Sequence, residues 1–316
     1  EIASCLVGSE MCIRDSMKNG IVSKDDLVIT GGTITVNAKN NGICGKDCVK
    51  IADGNITIKS EGDGIKSNNS EDTSKGYIYI CGGKINITST TDAIQAETTL
   101  TIEKGEINLK TGGGSENSSK TSEGKDNPQW GKWGQEDSST TEEDTASAKG
   151  LKAGGDIKIS NATITADTSD DSIHSNSNVT IESGTFNLKS GDDGIHADTS
   201  TVINNGNIVI EKSYEGIEGS NVTINGGTIE LTASDDGINS AGGSDSSSMG
   251  GRMGQNSFTE NSDIYIKITG GKVTVDASGD GLDSNSNLII EGGEIYVNGP
   301  TTVSYTHLRA HETRGN

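Results

Sequence analysis

One position of a repeated corner carries an acidic residue in most of its copies, and acidic side chains in a row can bind metal ions. The corner reads acid-Gly-Ile in its commonest form. The residues at this position, here called the acidic column, are Asn41, Asp63, Asp92, Lys149, Asp171, Asp193, Glu215, Asp236 and Asp280. Asp170, Asp192 and Asp235 each precede a member of the column. Stacked in register, these carboxylates would lie about 5 Å apart, the spacing of neighbouring strands.

Repulsion between carboxylates at this spacing can be relieved in three ways. Two such charges repel by roughly 3 kcal/mol at an effective dielectric constant of about 20. The side chains can therefore turn into solvent, take up protons or be bridged by hard cations. Calcium suits sites built from carboxylate and carbonyl oxygens, whereas aspartate also favours turns before glycine without any ligand. The predicted calcium ligands are Asp63, Asp92, Asp170, Asp171, Asp192, Asp193, Glu215, Asp235, Asp236 and Asp280.

A second set of potential ligands follows three residues after the acidic column. His174, His196 and Glu218 occupy equivalent positions in three consecutive repeats. Together with Asp171 and Asp193 they could ligate a transition metal, because imidazole and carboxylate groups are common ligands of such ions. The alternative is an ordinary ladder of polar side chains that faces solvent.

The corners belong to a repeat of about 22 residues, and a period of this size indicates a solenoid. An isoleucine marks the same position of each copy. These isoleucines are Ile29, Ile51, Ile80, Ile102, Ile159, Ile181, Ile203, Ile224, Ile268 and Ile290. A glycine lies three residues after all but one of them, the exception being Ala162.

Each repeat predicts three short strands. Phe186 and Leu188 alternate with polar residues after a glycine, which is the period of a strand with one buried face. A single apolar residue such as Ile195 marks the second strand, and the pair Val179 and Ile181 marks the third. Corners rich in Gly, Asn, Asp and Ser join them. The sequence therefore predicts an all-β fold, a triangular parallel β-helix of about ten coils.

Three insertions interrupt this pattern. Residues about 68–75 lengthen one coil, and two longer polar segments occupy about 112–146 and 241–262. The two long segments have the Gly- and Ser-rich composition of flexible linkers. We expect them to be loops that leave a corner, because neighbouring coils can stack on either side of such a loop.

The two ends of the chain do not follow the repeat. Residues 1–16 (EIASCLVGSEMCIRDS) and 303–316 (VSYTHLRAHETRGN) resemble translated sequencing-adapter read-through, a contaminant of metagenomic assemblies. A genuine cap at each end is the alternative. We therefore expect non-native segments at 1–16 and 303–316, with a single β-helix domain over 17–302. On this interpretation truncation has removed a signal peptide and the capping coils.

Cysteines and aromatic residues are few. Cys44, Cys48 and Cys81 lack convincing zinc-ligand spacing, so either one disulfide with a free thiol or three buried thiols is open. Aromatic side chains can stack on sugar rings. The predicted carbohydrate-contacting residues are Trp130 and Trp133, in the longest loop, with Tyr77 and Tyr79 on outward positions of a third strand.

The repeats GGTIELTASDDGINS and GGKVTVDASGDGLDSNSNLIIEGG resemble the carbohydrate-binding domain family of secreted clostridial-type proteins. The resemblance covers residues about 20–300 and rests on the Asp-Gly-Ile corners and the Gly-Gly-x-Ile turns. It implies a pectate-lyase-like right-handed parallel β-helix that binds calcium and plant cell-wall polysaccharides such as cellulose and pectin. The metal role carries over to Asp63, Asp171, Asp193, Asp236 and Asp280, but not to Asn41 or Lys149, where the acid is absent.

Three functions are open: a non-catalytic binding module, a polysaccharide lyase or hydrolase, and a structural surface adhesin. An enzyme is disfavoured because Arg252, the one arginine outside the two ends, lies in a loop of Gly, Ser and Met, whereas a catalytic base needs fixed geometry. The acid pair of Asp192 and Asp193 recurs at other corners, which marks it as part of the repeat and not as a glycosidase dyad.

Charge and hydropathy restrict the partners. The chain of 316 residues has a formal net charge of −21, which disfavours nucleic acid. No apolar run is long enough to span a membrane. We expect a calcium-dependent, non-catalytic module that binds pectin- or cellulose-like polysaccharides, works as a monomer, and lies outside the cell or on its surface.

Overall fold

Parallel strands dominate the structure, a computed structural model that describes residues 10–118, 147–240 and 264–299. Within these ranges the strands form two sheets, and the one helical element is a short 3-10 turn at Ser115–Asn117. In the described part of the chain, no helix has the length and apolar character needed to cross a membrane. The predicted all-β class and the parallel pairing of successive repeats are confirmed.

The first sheet, here called the long-strand sheet, contains eleven strands. They are Glu10–Ser16, Thr33–Ala38, Asn55–Ser60, Lys84–Ser89, Gly105–Thr111, Ala162–Thr168, Gly184–Ser190, Asn207–Lys212, Thr228–Ala233, Lys272–Ala277 and Glu294–Asn298. Each strand pairs in parallel with the one from the next repeat, for example Thr33 with Asn55.

The second sheet contains eighteen strands, which fall into two columns. The strands after the acidic corner are Ile21–Ser23, Ile43–Gly45, Ile65–Ser67, Ile94–Ala96, Leu151–Ala153, Ile173–Ser175, Ile238–Ser240 and Leu282–Ser284. The third strands of the repeats are Asp26–Ile29, Cys48–Ile51, Tyr77–Ile80, Leu100–Ile102, Ile157–Ile159, Asn178–Ile181, Tyr265–Ile268 and Asn287–Ile290. In two repeats these columns merge into the continuous strands Ile195–Ile203 and Ile217–Ile224.

Apolar side chains from every strand type meet in one core. Ile181 pairs in register with Ile203, and Ile203 with Ile224, so the predicted stacking of this column is confirmed. Burial alternates along the long strands, as in Asn55–Ser60, where every second residue is buried. β-branched side chains suit such a surface, because their restricted rotamers pack against identical neighbours on adjacent strands.

Three details differ from the predicted organisation. Residues 10–16 form a strand that pairs with Thr33–Ala38, because the first long strand offers an open edge to the chain that precedes it. The first residues of the predicted loop at 112–146 contain a 3-10 turn and pack on the strands through a hydrogen bond from Lys212 Nζ to the carbonyl of Ser115 (3.0 Å), and residues 119–146 lie outside the described residues. Two repeats also have two strands where three were predicted.

The cysteines of the repeat are not paired. Cys44 and Cys48 are buried and Cys81 is half-buried, and each is a free thiol. Burial raises the pKa of Cys44, which keeps its thiol protonated at neutral pH. The role of buried small hydrophobe therefore accounts for Cys44 and Cys48.

Glycine is required where the third strand turns into the long strand. Gly83 has a φ of 95°, and a Cβ built there would lie 2.7 Å from the carbonyl oxygen of Gly54 in the preceding repeat. Both the left-handed backbone and the close approach of two chains exclude a side chain. Gly31, one residue before an equivalent glycine, has no atom within 4 Å of its Cβ position.

We predict that Gly83→Ala lowers the free energy of unfolding by about 1–3 kcal/mol, because it combines unfavourable φ with a backbone clash. The matched control, Gly31→Ala, should change it by less than about 0.5 kcal/mol. Urea denaturation of the two variants measures both values. Equal destabilisation would show that the corner backbone is not the constraint described here.

Candidate functional site

The acidic column forms a hydrogen-bonded ladder from repeat to repeat. At five of its steps, a side-chain oxygen accepts the backbone N–H of the equivalent residue in the next repeat. The bonds of this kind join Asn41 Oδ1 to Asp63 N (2.9 Å), Asp92 Oδ1 to Lys149 N (2.8 Å), Asp171 Oδ1 to Asp193 N (2.9 Å), Asp193 Oδ1 to Glu215 N (3.3 Å) and Asp236 Oδ1 to Asp280 N (2.5 Å). The ladder needs an acceptor oxygen and not a charge, which explains why Asn41 fits.

This ladder buries the carboxylates that form it. Asp171 is 0% exposed, Asp193 3% and Glu215 4%, while Asp236 and Asp280 are half-buried. Solvent exposure, one of the three outcomes open from the sequence, is therefore wrong for the middle of the column. A buried carboxylate needs a cation or a proton, because desolvation of the charged form is unfavourable.

Lysines supply that cation in the first half of the column. Asp63 lies 2.7 Å from Lys66 Nζ, and Asp92 lies 3.4 Å from Lys152 Nζ. Lys149 places its ammonium 2.5 Å from Asp171 Oδ2, and 2.9 Å from Asp170 Oδ1. A calcium ion beside any of these carboxylates would have to displace an ammonium group already within contact distance.

Lys149 controls the charge state of Asp171. Burial raises the pKa of Asp171, but the nearby Lys149 and the hydrogen bond with His174 outweigh burial and hold that pKa well below its usual range. Asp171 is therefore ionised although it is buried. Asp170, Asp171 and Asp192 together place three carboxylate oxygens within 4.8 Å of one another, and Lys149 contacts two of these residues.

Beside the second half of the column, acidic or amide side chains occupy the register positions at which the first half has lysines. Glu218, Asn239 and Asp283 continue the positions held earlier by Lys66 and Lys152. Burial raises the pKa of Glu215 to about 10, with the charges of Asp193 and Glu218 adding to the shift.

The pKa of Asp236 is raised in the same way. Burial, together with the neighbouring charges of Asp235, Asp283 and Asp280, raises its pKa to about 7. Carboxylates that hold protons at neutral pH are groups that a cation would stabilise, because the ion replaces the proton.

Two observations test whether calcium suits this second half. A Cβ built on Gly279 would lie 2.4 Å from Asp236 Oδ1 and 2.8 Å from Asp235 Oδ1, so glycine leaves room beside two carboxylate oxygens. Asn239 is 2% exposed, and its Oδ1 has no hydrogen-bond partner although its Nδ2 donates to both oxygens of Glu215 (3.0 Å). An all-oxygen donor set with an unpaired carbonyl oxygen fits a hard cation.

The histidine pair is buried, so the solvent-facing ladder expected as the alternative is wrong. His174 is 6% exposed and His196 0%. Their rings stack with centroids 4.8 Å apart and an interplanar angle of 14°. Burial lowers the pKa of His196, but its hydrogen bonds with Asp193, Asp198 and Glu218 outweigh burial and raise that pKa well above its usual range.

Of the four predicted carbohydrate-contacting aromatic residues, the structure describes the two tyrosines. Tyr77 and Tyr79 are half-buried, with the ammonium of Lys50 5.2 Å from the Tyr77 ring centre and the Tyr79 hydroxyl hydrogen-bonded to Glu103. The bond with Glu103 raises the pKa of Tyr79 to about 12. Trp130 and Trp133 lie outside the described residues.

The outer face of the long-strand sheet is polar and exposed. Its outward residues at the first strand position are Thr33, Asn55, Lys84, Glu106, Thr163, Thr185, Asn207, Thr228, Lys272 and Glu294, all exposed. At the end of three neighbouring long strands lies a groove of about 380 Å³. Its lining includes Lys39, Lys59, Glu61, Thr88 and Thr90. This surface offers both donors and acceptors for hydroxyl groups.

A long polar sheet face, a groove and an acidic column are features of a binding module. The chain belongs to a family described as carbohydrate-binding domain-containing protein, whose model matches residues 7–194 and 193–314. These ranges include part of both ends, whose non-native origin stays a prediction.

A relative from Acetivibrio thermocellus, also described as a carbohydrate-binding domain-containing protein, is similar over a shorter segment. It is 50% identical over 103 residues, which are 33% of this chain and 36% of the relative. The chain therefore matches about a third of the length of that relative. No solved structure matches the chain.

Several site residues were not found from the sequence. Lys149 was noted only as a missing acid, although its position in the column makes it a buried counter-ion. Asp198 contacts His196, and Asn239 contacts Glu215 of the column. Reading the residue three positions after each corner, next to the corner residue itself, would have revealed the change from lysine to acid along the chain.

We predict that Lys149→Met lowers the free energy of unfolding by about 3 kcal/mol at pH 7, because Asp171 is left buried without its counter-ion. The double variant Lys149→Met/Asp171→Asn should recover most of this loss, since asparagine keeps the oxygen that accepts the Asp193 N–H. Guanidinium denaturation measures both. A loss that persists in the double variant would show that Lys149 acts through packing.

The same pair predicts a pH dependence. The pKa of Asp171 is lowered in the folded state, so its stabilising contribution is present above the unfolded pKa of about 4 and is lost as pH falls through the folded value. We predict that wild type and Lys149→Met converge in stability as the pH drops below about 4. Parallel pH profiles would contradict the ion-pair assignment.

Proposed function

We propose that this chain is a non-catalytic, calcium-dependent module that binds plant cell-wall-type polysaccharides. The family match over most of the chain carries the carbohydrate-binding role. Calcium dependence is supported by the second half of the acidic column, and the absence of catalysis by the structural use of its carboxylates. The module acts as a monomer outside the cell or on its surface.

We propose further that the repeats wind as a right-handed parallel β-helix. Successive long strands pair in parallel at a step of 22 residues, as Ile34 with Ile56, and the third strands pair at the same step. A connection between parallel strands of one sheet is right-handed in about 98% of cases. A single handedness throughout keeps the corners in one line, which the ladder of the acidic column requires.

The proposed glycan surface is the outer face of the long-strand sheet together with its groove. The groove crosses three long strands, which are spaced about 4.8 Å apart. Lys59, Thr88 and Thr90 offer an ammonium and two hydroxyls within it. An ammonium group suits a uronate carboxylate and hydroxyls suit neutral sugars, so the groove can take either an acidic or a neutral chain. Trp130 and Trp133 would add ring stacking.

The proposed calcium ligands are Asp236, Asp280 and Asp283, with Asp235 and Asn239 beside them. Asp236 and Asp283 both have a pKa raised first by burial and then by neighbouring acids, so a divalent ion would remove unfavourable charge proximity. Calcium prefers such oxygen donors and accepts variable coordination. A bound calcium ion would supply positive charge that stabilises the corner, and the ion could also bind the carboxylate of a uronate.

The acids of the column are poor candidates for hydrolysis or elimination. Asp193 accepts the amide of Glu215 and contacts His196, so both of its oxygens are engaged within the protein. Asp171 is fully buried and paired with Lys149. A catalytic acid or base must reach the proton that it transfers, and these groups face the neighbouring repeats.

We predict that millimolar calcium raises the melting temperature relative to chelator, because an ion that binds only the folded state stabilises it by about 2.7 kcal/mol at a hundredfold excess over Kd. Asp236→Asn/Asp280→Asn should abolish the increase. The matched control Asp63→Asn, at an equivalent corner that already contains Lys66, should retain it. Scanning calorimetry measures all three, and identical melting in calcium and chelator would contradict the calcium proposal.

We predict that the chain is retained by pectin or cellulose without releasing reducing ends or unsaturated uronides. If the ligand is pectic, chelator and Lys59→Glu should each weaken retention, whereas if it is neutral, Trp130→Ala/Trp133→Ala should do so. Lys104→Glu, at the opposite end of the long strands, is the matched charge control. Affinity electrophoresis measures retention. Cleavage of either polysaccharide that is lost in Arg252→Ala would replace the binding module with an enzyme.

A further inference from the structure

Three side chains of types that can bind a metal converge at one point of the second sheet. Asp193 precedes the strand Ile195–Ile203, His196 lies within that strand, and Glu218 is its register partner in the strand Ile217–Ile224. His196 Nδ1 lies 3.1 Å from Asp193 Oδ2 and 2.6 Å from Glu218 Oε2. All three donor atoms lie within 4.8 Å of one another. This trio is distinct from the carboxylates proposed above for calcium.

The hydrogens available at this point do not satisfy the three atoms. His196 Nε2 lies 3.2 Å from Asp198 Oδ1, and an ionised carboxylate only accepts, so Nε2 carries the ring hydrogen. In a neutral imidazole Nδ1 then has a lone pair, which faces two further acceptor oxygens. Even in the protonated ring, Nδ1 has one hydrogen for two carboxylates. The positive ring thus shares one Nδ1 hydrogen between two carboxylates, whereas a divalent ion in its place could be bound by Nδ1 and both carboxylates at once.

The contact with Asp198 is the arrangement that accompanies metal-bound histidines. A histidine that binds a metal through one ring nitrogen commonly donates the other N–H to a carboxylate, which fixes the ring and raises the basicity of the ligand. Here Asp198 orients Nδ1 toward Asp193 and Glu218. His196 is fully buried, whereas the side chains of Glu218 and Asp198 are 20% and 26% exposed, which leaves a route for an ion from solvent.

We propose that Asp193, His196 and Glu218 form a binding site for a divalent transition metal of the Zn²⁺ type, with Asp198 as the positioning residue behind the histidine. An imidazole nitrogen selects zinc-like ions over calcium, which prefers oxygen. Two carboxylates neutralise the 2+ charge of the ion. Ligands at about 2.0–2.1 Å from tetrahedral zinc lie about 3.3 Å apart, so each of the two distances from His196 Nδ1 needs to lengthen by less than about 1 Å. Water completes the coordination.

The neighbouring histidine provides an internal comparison. His174 Nδ1 lies 2.7 Å from Asp171 Oδ2, but that oxygen is also 2.5 Å from Lys149 Nζ. The two histidines also differ in their outer register neighbours. His174 pairs with Lys152 of the preceding repeat, whereas His196 pairs with Glu218 of the following repeat. The site around His174 therefore contains built-in cations and one carboxylate, and the site around His196 contains two carboxylates and no lysine at those positions.

The test uses the full chain and Co²⁺ or Zn²⁺ alone as the probe. Isothermal titration at pH 7.5 should give one tight site, with release of a proton from the imidazole that is seen as a dependence of the heat on the buffer. Bound Co²⁺ should show the visible absorption of low coordination with a nitrogen ligand. Neither signal should appear with calcium.

The variants are chosen to separate the site from background binding. His196→Gln should abolish the tight site, Glu218→Gln should weaken it at least tenfold, and Asp198→Asn should weaken it by about 10–100-fold. His174→Gln is the matched control and should bind like wild type. His307 and His311, near the end of the chain, are present in every variant, so binding through them would be common to all.

The outcomes also separate this site from the proposed calcium ligands. Asp236→Asn/Asp280→Asn should lose the calcium effect and keep the Co²⁺ signal. Because Glu218 is partly exposed, Glu218→Gln should fold even if His196→Gln does not, and circular dichroism checks both. Absence of a tight site in wild type, or a site unchanged in both His196→Gln and Glu218→Gln, would overturn the proposal.

Discussion

The hydrogen bond from a corner oxygen to the backbone N–H of the next corner is the interaction on which the rest of the site depends. Where it forms, it places the corner side chain of one repeat directly against the next repeat, as between Asp171 and Asp193 (2.9 Å). A short acceptor is required, so the position accepts aspartate and asparagine. The result is a row of buried carboxylates, and the other features of the site compensate the negative charge of this row.

The negative charge of the acidic column is compensated in different ways along the chain. Lys66, Lys152 and Lys149 neutralise the first half of the acidic column, and the protonated or metal-bound ring of His196 serves its middle. In the second half the equivalent positions are Asn239 and Asp283, which supply no positive charge. The same corner hydrogen bond thus occurs with three different charge environments, and we propose that only the last of them binds calcium.

The sequence predicted the repeat well, because a period of 22 residues and alternating burial determine which side chains face inward. Ile181, Ile203 and Ile224 stack as expected. It could not predict burial of the polar residues: His174 and His196 follow the same spacing whether they face solvent or lie beneath a neighbouring corner. The role of Lys149 was missed for a related reason, since its partners come from another repeat and are adjacent only once the register is known.

The central claim is that cations bind where the acidic column lacks lysine. Anomalous diffraction from crystals grown with calcium and collected at long wavelength tests it directly, because it locates the ion without any variant. We expect an anomalous peak among Asp236, Asp280 and Asp283 and none beside Asp171, where Lys149 remains in contact. A peak at Asp171 with Lys149 displaced, or no peak along the column, would contradict it.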